Sequence, residues 1–478
     1  MALHKNFING EWVEGKGVRE NLNPSDISDI VGNYAQADKA QTEAAIAAAR
    51  AAAPAWAATT PQQRADILET IGAELLARKD EIGRLLSREE GKPLANGIAE
   101  TMRAAQIFKF FAQEALRTEG VAVSSVRPGV DVLITREALG VVGLICPWTF
   151  PIAIPAWKMA PALAFGNTVV FKPADLVPGT AWALVEIISR SGLPKGVVNL
   201  VMGRGSVVGQ TMLDSKDVNA ISFTGSVETG AKVAMACASR GAKFQLEMGG
   251  KNPLVVLDDA NIDAAVAAAI DGAFYQTGQR CTASSRLIVQ SKVHDAFVDK
   301  MVTSMKALKV DHALKDGTHV GPVVDENQMA QDEKYIQIAR DEGGQLAWGG
   351  ERLNRDTKGH YLSPALFINT KNNMRINREE VFGPVASVIK VESYDEALAV
   401  ANDTQFGLSS GIFTTSLKYA TDFRKKSQAG MTMINLPTAG VDYHVPFGGR
   451  KGSSYGAREQ GRFAADFYTA IKTAYTLA

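Results

Sequence analysis

The chain has 478 residues, of which 46% are hydrophobic and 21% are charged. This composition is typical of a globular protein with ample material for large cores, and the length suggests about two to four domains. Basic and acidic residues balance at 51 each, which argues against a protein that binds nucleic acid or a membrane surface through a strong net charge.

Cysteine use and the N-terminal sequence indicate where the protein resides. The three cysteines, Cys146, Cys237 and Cys281, are too few in so long a chain for a disulfide framework, which favours a reducing compartment. The segment Met1–Phe7 lacks the apolar core of a signal peptide, and no uncharged apolar run reaches the length of a membrane span. We therefore expect a cytoplasmic protein.

The first part of the chain predicts a short extended segment and then helices. Residues 7–13 look extended, and a turn follows at Asn23-Pro-Ser-Asp26. Thr60-Pro61 supplies an N-cap and a proline at the first helical position. Helical periodicity covers three segments, at residues 38–53, 61–88 and 93–118.

Two segments that are far apart in the sequence have the alternating pattern of exposed strands. Residues 119–137 alternate around Arg127-Pro-Gly129, which predicts a hairpin that projects from the body. The tail, Phe467–Leu477, alternates as well and has no partner nearby in the sequence. We expect it to pair with the hairpin, within the chain or in another subunit.

The rest of the chain alternates between strand-like and helical segments. Short, nearly continuous apolar runs are typical of buried parallel strands, and their alternation with helices predicts an α/β fold with doubly wound sheets. In the first half these runs lie at residues 141–145, 168–171, 197–201 and 220–223. In the second half they lie near residues 253–257, 286–290, 385–390, 411–414 and 431–434.

Cys281 lies on a short connector between a helical run and a strand-like run, where side chains are often presented to a cleft. The thiolate is the reactive form of cysteine, and the neighbouring Arg280 favours it. Cys281 is therefore a candidate nucleophile, although a lone cysteine in a large chain is more often an inert buried residue.

Two glycine-rich turns compete as the phosphate-binding turn of a dinucleotide site. Residues 203–209 follow a strand and open a helix, but the third glycine of the fingerprint is one residue late. Residues 223–230 also join a strand to a helix, with Gly225 for a tight turn and Ser226 as a helix cap. We favour the second turn, because Thr224 and Ser226 add hydroxyl donors.

These features fall among seven motifs through which the whole chain resembles the aldehyde dehydrogenase superfamily. The motifs occur in the family's order and spacing, which makes the resemblance highly specific. They are Pro147-Trp-Thr-Phe-Pro151, Gly166-Asn-Thr-Val-Val-Phe-Lys-Pro173, Phe223-Thr-Gly-Ser226, Leu246-Glu-Met-Gly-Gly-Lys251, Gly278-Gln-Arg-Cys281, Glu379-Glu-Val-Phe-Gly-Pro384 and Pro446-Phe-Gly-Gly449.

The resemblance implies a covalent mechanism. Cys281 would attack the aldehyde carbon to form a thiohemiacetal, which would pass a hydride to a nicotinamide and leave a thioester. Glu247 would be the general base for the thiol or for the hydrolytic water. The cofactor contacts that the resemblance implies are Trp148, Lys172, Gly225, Ser226, Glu380 and Phe382.

The resemblance also assigns roles to the parts of the fold and to the cofactor. Residues 1–118 and 138–248 would form the NAD(P)-binding domain, residues 249–442 the catalytic domain, and residues 119–137 with 460–478 an arm that joins a homodimer or homotetramer. Asp175 would repel a 2′-phosphate, which favours NAD, but its short side chain leaves use of NADP open.

One residue departs from the family pattern. Thr149 occupies the position of an asparagine whose amide, in the family, completes the oxyanion hole with the backbone N–H of the catalytic cysteine. Loss of such a donor typically lowers turnover by about two to three orders of magnitude. This departure keeps open a second interpretation, a catalytically impaired scaffold. The presence of Glu247 argues for water rather than coenzyme A as the acyl acceptor.

The substrate is suggested by two arginines and by one branch of the family. Arg103 and Arg280 could bind a carboxylate or phosphate, while Trp157 and Tyr275 could line an apolar tunnel. The sequence around Cys281 and residues 437–446 most resemble the branch that oxidises α-ketoglutarate semialdehyde (2,5-dioxopentanoate). A neutral aliphatic or aromatic aldehyde is the alternative. The predicted site includes no metal.

Overall fold

A computed structural model describes residues 2–477. Met1, the first residue of the predicted NAD(P)-binding domain, and Ala478, the last residue of the predicted arm, lie outside this range. Within residues 2–477 the strands are β1 (Leu3–His4), β2 (Asn6–Ile8), β3 (Glu11–Val13), β4 (Gly17–Asn23), β5 (Asp26–Gln36), β6 (Val121–Ser124), β7 (Val130–Ala138), β8 (Val141–Ile145), β9 (Thr168–Lys172), β10 (Val198–Leu200), β11 (Ala220–Thr224), β12 (Lys243–Glu247), β13 (Asn252–Val256), β14 (Ser284–Gln290), β15 (Gln345–Trp348), β16 (Ala365–Thr370), β17 (Val385–Val391), β18 (Ser409–Phe413), β19 (Met431–Ile434), β20 (Ser454–Tyr455) and β21 (Thr469–Leu477).

The α-helices of the same range alternate with these strands through most of the chain. They are α1 (Lys39–Ala57), α2 (Pro61–Ala77), α3 (Lys79–Glu90), α4 (Leu94–Ala115), α5 (Ala153–Ala164), α6 (Pro178–Ser189), α7 (Gln210–Asp214), α8 (Val227–Ser239), α9 (Ile262–Phe274), α10 (Ser291–Lys306), α11 (Glu326–Asp341), α12 (Arg375–Arg378), α13 (Tyr394–Asn402), α14 (Leu417–Lys426) and α15 (Ala465–Tyr468). No helix among residues 2–477 is long and apolar enough to cross a membrane.

An eight-stranded sheet is built mainly from the first half of the chain, in the order β20-β12-β11-β8-β9-β10-β2-β3. Its five central strands, from β12 to β10, are parallel. Strands β8 and β9 are apolar and almost wholly buried, because two separate hydrophobic clusters cover the faces of the sheet. The carboxyl ends of β8, β9, β11 and β12 therefore lie along one edge.

A seven-stranded sheet is built from the second half, in the order β15-β16-β17-β14-β13-β18-β19. All neighbours are parallel except β15, which pairs antiparallel with β16. Two further clusters bury its faces. Together the two sheets confirm the predicted α/β class with two doubly wound sheets. Strand β20 comes from residues 454–455 yet joins the first sheet, so the chain returns to that sheet near its end.

The predicted hairpin and tail form a three-stranded sheet in the order β21-β7-β6. Strand β21 pairs antiparallel with β7 over its whole length, from Thr469 opposite Ala138 to Leu477 opposite Val130. The partner of the tail is thus the hairpin of the same chain. Most of β21 is exposed to solvent.

One local prediction was wrong, and several strands were missed. The helix expected over 61–88 is two helices, α2 and α3, because Arg78 between them has a φ of −102° and a ψ of 15°. The N-terminal region contains five strands, two of which form the long β4–β5 hairpin. Strands β15 and β16 were not predicted. In contrast, the predicted cap at Thr60 is present as a capping box with Gln63.

Candidate active site

Five of the predicted site residues surround one cavity of about 160 Å³. Glu247 comes from the carboxyl end of β12, and Cys281 comes from the loop that leads into β14. The eight-stranded and seven-stranded sheets thus each supply one candidate catalytic side chain. The five residues are Arg103, Trp157, Glu247, Arg280 and Cys281.

The backbone just before Cys281 has an unusual conformation. Gln276, Thr277 and Gly278 have consecutive φ values of 54°, 60° and 63°. Non-glycine residues rarely adopt this left-handed region, and such strain is often found at functional sites. A side chain on Gly278 would also collide with the backbone of Gly383. These residues turn the chain sharply between α9 and Cys281.

The thiol of Cys281 lies among acidic groups in a largely apolar cavity. Burial raises its pKa to about 12, and the carboxylates of Glu380 and Glu247 contribute in the same direction. The backbone N–H groups of Cys281 and Thr282 lower the pKa of the thiol and so oppose this shift. At neutral pH the thiol is therefore protonated until a base removes its proton.

This raised pKa predicts how the thiol responds to pH. Alkylation of Cys281 by iodoacetamide should accelerate about tenfold per pH unit from neutral to alkaline pH, because the thiolate fraction rises in that proportion below the pKa. The measurement is the rate of carbamidomethylation at Cys281 by mass spectrometry, with the buried Cys146 and Cys237 as internal controls. A rate that already levels off near neutral pH would contradict the prediction.

Glu247 is the predicted carboxylate that lines the cavity together with Cys281. Its side chain is buried, and its Oε2 atom accepts a hydrogen bond of 2.5 Å from Ser454 Oγ, while its Oε1 atom has no partner. Burial, together with the nearby Glu459 carboxylate, raises the pKa of Glu247 well above its ordinary value. A buried carboxyl with raised pKa beside a thiol is suited to accept a proton.

Glu380 contacts the loop after β12, and the predicted aromatic residues Trp148 and Phe382 pack against each other. Glu380 Oε1 accepts a hydrogen bond of 2.7 Å from the Gly250 N–H, and burial raises the pKa of Glu380 to about 7. The rings of Trp148 and Phe382 pack edge to face with centroids 5.5 Å apart. Charge on Glu380 in turn raises the pKa of Cys281, so the two groups lie close enough to interact.

The predicted dinucleotide contacts gather at the carboxyl edge of the eight-stranded sheet. Lys172 ends β9, while Gly225 and Ser226 follow β11, and Ser226 caps α8 by accepting from the Thr229 N–H at 3.3 Å. The buried ammonium of Lys172 donates to the Pro173 carbonyl at 2.9 Å. Thr224 Oγ1 is buried without a partner. These groups fit the hydroxyls and phosphates of a dinucleotide.

Asp175 is engaged by a residue that the sequence did not reveal. Arg19, on β4, forms an ion pair with Asp175 Oδ2, and Asp175 Oδ1 is buried without a partner. Arg19 and Asp175 are 156 positions apart, and a single arginine in an exposed strand carries no local signal. The pair places a guanidinium beside the carboxylate that the resemblance assigns to the adenosine ribose.

Arg103 and Trp157 form one wall of the cavity. The Arg103 guanidinium lies 5.9 Å from the Trp157 ring centroid and donates to Gln460 Oε1 at 3.0 Å. Trp157 stacks on Phe447 with centroids 5.2 Å apart. Arg103 Nε, Trp157 Nε1 and Gln460 Nε2 are buried donors without a partner. Gln460 was not predicted, and only the motif at 446–449 pointed to Phe447.

The structure places three predicted residues in surroundings that differ from those their predicted roles require. Arg280 lines the cavity, but its guanidinium donates to the carbonyls of Asp271 and Gly272 at the end of α9. Tyr275 packs into the core of the seven-stranded sheet instead of lining the cavity. Thr149 is buried outside the cavity lining, and its carbonyl accepts from Lys92 Nζ at 2.8 Å.

A cysteine and a buried carboxylate line one cavity beside the carboxyl edge of the eight-stranded sheet, an arrangement that fits an oxidoreductase that works through a thiol. Comparison with known proteins agrees. The family description "Aldehyde dehydrogenase family" matches residues 12–474, and the chain belongs to this family of NAD(P)-dependent oxidoreductases. The chain is similar to an alpha-ketoglutaric semialdehyde dehydrogenase of Bacillus subtilis, with 44% identity over 98% of this chain and 97% of that protein.

Solved structures show the same similarity. The crystal structure of betaine aldehyde dehydrogenase from Staphylococcus aureus in complex with NAD+ has a TM-score of 0.97 and 33% identity, and the match covers 99% of this chain and 95% of that one. An NADP-dependent enzyme of E. coli matches with a TM-score of 0.96 and 34% identity, over 99% of this chain and 98% of that one. Nicotinamide dinucleotides are thus the cofactors of the similar structures.

Proposed function

We propose that the protein oxidises a carboxylated semialdehyde, with α-ketoglutarate semialdehyde as the best candidate, to the corresponding acid. The observation that carries this proposal is the cationic Arg103 on the cavity wall, with its Nε donor buried and unpartnered. The unpartnered N–H groups of Trp157 and Gln460 add donors for further substrate oxygens. The name of the Bacillus subtilis relative supports the same substrate.

The chemistry at the other end of the cavity follows from the two reactive side chains. Glu247 takes the proton of Cys281 as the sulfur attacks the aldehyde carbon. The backbone N–H groups of the loop that carries Cys281 (residues 279–283, the nucleophile loop) stabilise the negative charge. NAD(P), held at the carboxyl edge of the eight-stranded sheet, would supply the acceptor for the hydride. Glu247 releases this first proton to solvent and then takes a proton from the water that attacks the thioester. It passes that proton to the departing thiolate of Cys281, which restores the thiol and releases the acid.

Removal of the Arg103 charge tests the substrate. Arg103→Leu should raise KM for α-ketoglutarate semialdehyde by about tenfold to a hundredfold, because a charged hydrogen bond to the carboxylate is lost. KM for pentanal, a neutral aldehyde of equal length, should change little. Lys109→Leu, which removes a cation of the same helix that is paired with Glu69, is the matched control. Equal effects of Arg103→Leu on both aldehydes would contradict the proposal.

A broad specificity for neutral or aromatic aldehydes is the second candidate. The cavity walls include the apolar side chains of Phe150, Ile154, Trp157, Val441 and Phe447, which suit an uncharged substrate. The Arg103→Leu comparison separates the two candidates, because an enzyme for neutral aldehydes would prefer pentanal before and after the substitution.

We infer that the protein uses NAD and accepts NADP, because Arg19 neutralises Asp175. Arg19→Met should lower kcat/KM for NADP by about tenfold or more and leave NAD use nearly unchanged, since a lone carboxylate accepts a ribose hydroxyl but repels a 2′-phosphate. Arg50→Met is the matched control, because it breaks an exposed Arg–Asp pair with Asp217 elsewhere. A parallel loss with both cofactors would contradict this role.

The domain division and the assembly are proposals as well. We infer that residues 1–118 with 138–248 bind the cofactor and that residues 249–442 carry the nucleophile. The arm made of residues 119–137 and 460–478 would join subunits of a homodimer or homotetramer, since it exposes apolar side chains that include Val123, Leu133, Ile471 and Tyr475. We further propose a cytoplasmic location, which the three unpaired cysteines support.

A further inference from the structure

Three consecutive carbonyl groups of the nucleophile loop are held by side chains from other parts of the chain. Asn252 Nδ2 donates to the Cys281 carbonyl at 2.8 Å and to the Ala283 carbonyl at 2.9 Å. Thr438 Oγ1 donates to the Thr282 carbonyl at 2.7 Å. Side-chain hydrogen bonds therefore hold the loop at every residue from Cys281 to the start of β14.

The two side chains that hold the loop are themselves fixed by hydrogen bonds. Asn252 Oδ1 accepts from the Ser409 N–H at 3.0 Å, and the Thr438 carbonyl accepts from Ser409 Oγ at 2.9 Å. Thr438 Oγ1 also lies 2.6 Å from Ser284 Oγ. Asn252, Thr438, Ser284 and Ser409 are all at most 2% exposed. A buried, fully connected polar network of this kind specifies one geometry.

The position of the carbonyls determines where the N–H groups point. Because a peptide unit is planar and trans, the carbonyl of Cys281 and the N–H of Thr282 point in opposite directions. The carbonyl of Cys281 faces Asn252, so the Thr282 N–H points away from Asn252. This N–H group also lowers the pKa of the Cys281 thiol. The Ala283 N–H is already used, because it donates to the Arg280 carbonyl at 3.0 Å.

We propose that Asn252 and Thr438 are positioning residues for the reaction, because they hold the nucleophile loop so that the N–H groups of Cys281 and Thr282 face the sulfur and the negative charge that forms beside it. This inference rests on the proposed role of Cys281. It has added weight in this chain because Thr149 offers no amide donor, so the backbone donors carry more of the stabilisation.

Loss of the hydrogen bonds from either side chain is tested by the alkylation rate of Cys281 and by kcat. Thr438→Val, which removes only a hydroxyl, and Asn252→Ala should slow iodoacetamide alkylation of Cys281 several-fold at fixed pH. They should also lower kcat about tenfold with KM and NAD affinity little changed, because preorganised donors act on the transition state. Thr438→Ser keeps the hydroxyl and should behave as the wild type.

Thr370→Val is the matched control, because it also removes a buried hydroxyl that donates to a backbone carbonyl, at 2.8 Å from Val388, away from Cys281. Alkylation rates and kcat of Thr438→Val that equal those of Thr370→Val would overturn the proposal. The alkylation assay needs no aldehyde. A wild type that oxidises no aldehyde, together with slower alkylation in Thr438→Val, would therefore reject the proposed function and support the positioning role of Thr438.

Discussion

Cys281→Ala is expected to abolish aldehyde oxidation while leaving NAD binding intact. Without the sulfur no thiohemiacetal forms, and removal of a covalent nucleophile lowers turnover by more than about 10⁴-fold. NAD affinity should stay within about twofold in isothermal titration, because Cys281 belongs to the loop before β14 while the predicted phosphate contacts follow β9 and β11.

The control for this substitution is Cys237→Ala, which removes a buried thiol on α8. It should retain the kcat of the wild type. Steady-state NADH formation by Cys281→Ala at more than a trace of the wild-type rate would remove Cys281 from the mechanism. Loss of both NAD binding and activity would indicate a damaged fold. A lower midpoint of thermal unfolding than that of the wild type would identify this outcome.

Glu247→Gln is expected to lower kcat by about 10²-fold to 10⁴-fold, because the amide cannot accept a proton. If its main role is hydrolysis, rapid mixing with saturating aldehyde and NAD should give one fast equivalent of NADH followed by a slow phase, as the thioester accumulates.

In the wild type the raised pKa of Glu247 predicts how kcat depends on pH. Its basic form is gained as the pH rises through that value, so kcat should increase with pH.

The control is Glu333→Gln, which removes an exposed carboxylate bound to Arg352 and should leave kcat and its pH profile unchanged. A Glu247→Gln variant with normal kcat would exclude this carboxylate as the base. A variant without the fast equivalent of NADH would instead place its main role before hydride transfer, in the activation of the thiol.

The parts of the site that follow directly from the sequence are those with local signals. Glu247 and Lys172 each lie within a short motif at the carboxyl end of a strand, and a strand end fixes which edge of a parallel sheet its side chain reaches. Cys281 lies within a short motif on the connector before β14. The apolar runs of β8 and β9 likewise predicted buried strands. A local sequence pattern was sufficient in these cases, because the position of a residue within its strand or connector determines where it lies in the fold.

The remaining contacts depend on the folded chain. Ser454 meets Glu247 across 207 positions, and Gln460 meets Arg103 across 357; neither has a neighbour in sequence that indicates a partner. Tyr275 lies six residues before Cys281 and yet packs into the core, because the left-handed residues that follow it turn the chain. The break at Arg78 is similar, since the helical periodicity continues across it.

We propose that oxidation proceeds through an acyl group on Cys281. The most direct measurement is mass spectrometry of Glu247→Gln, mixed with α-ketoglutarate semialdehyde and NAD, quenched in acid and digested, with NADH counted in the same sample. We predict an acyl adduct on the Cys281 peptide in proportion to the NADH formed. NADH formation with an unmodified Cys281 at every time point would contradict the account.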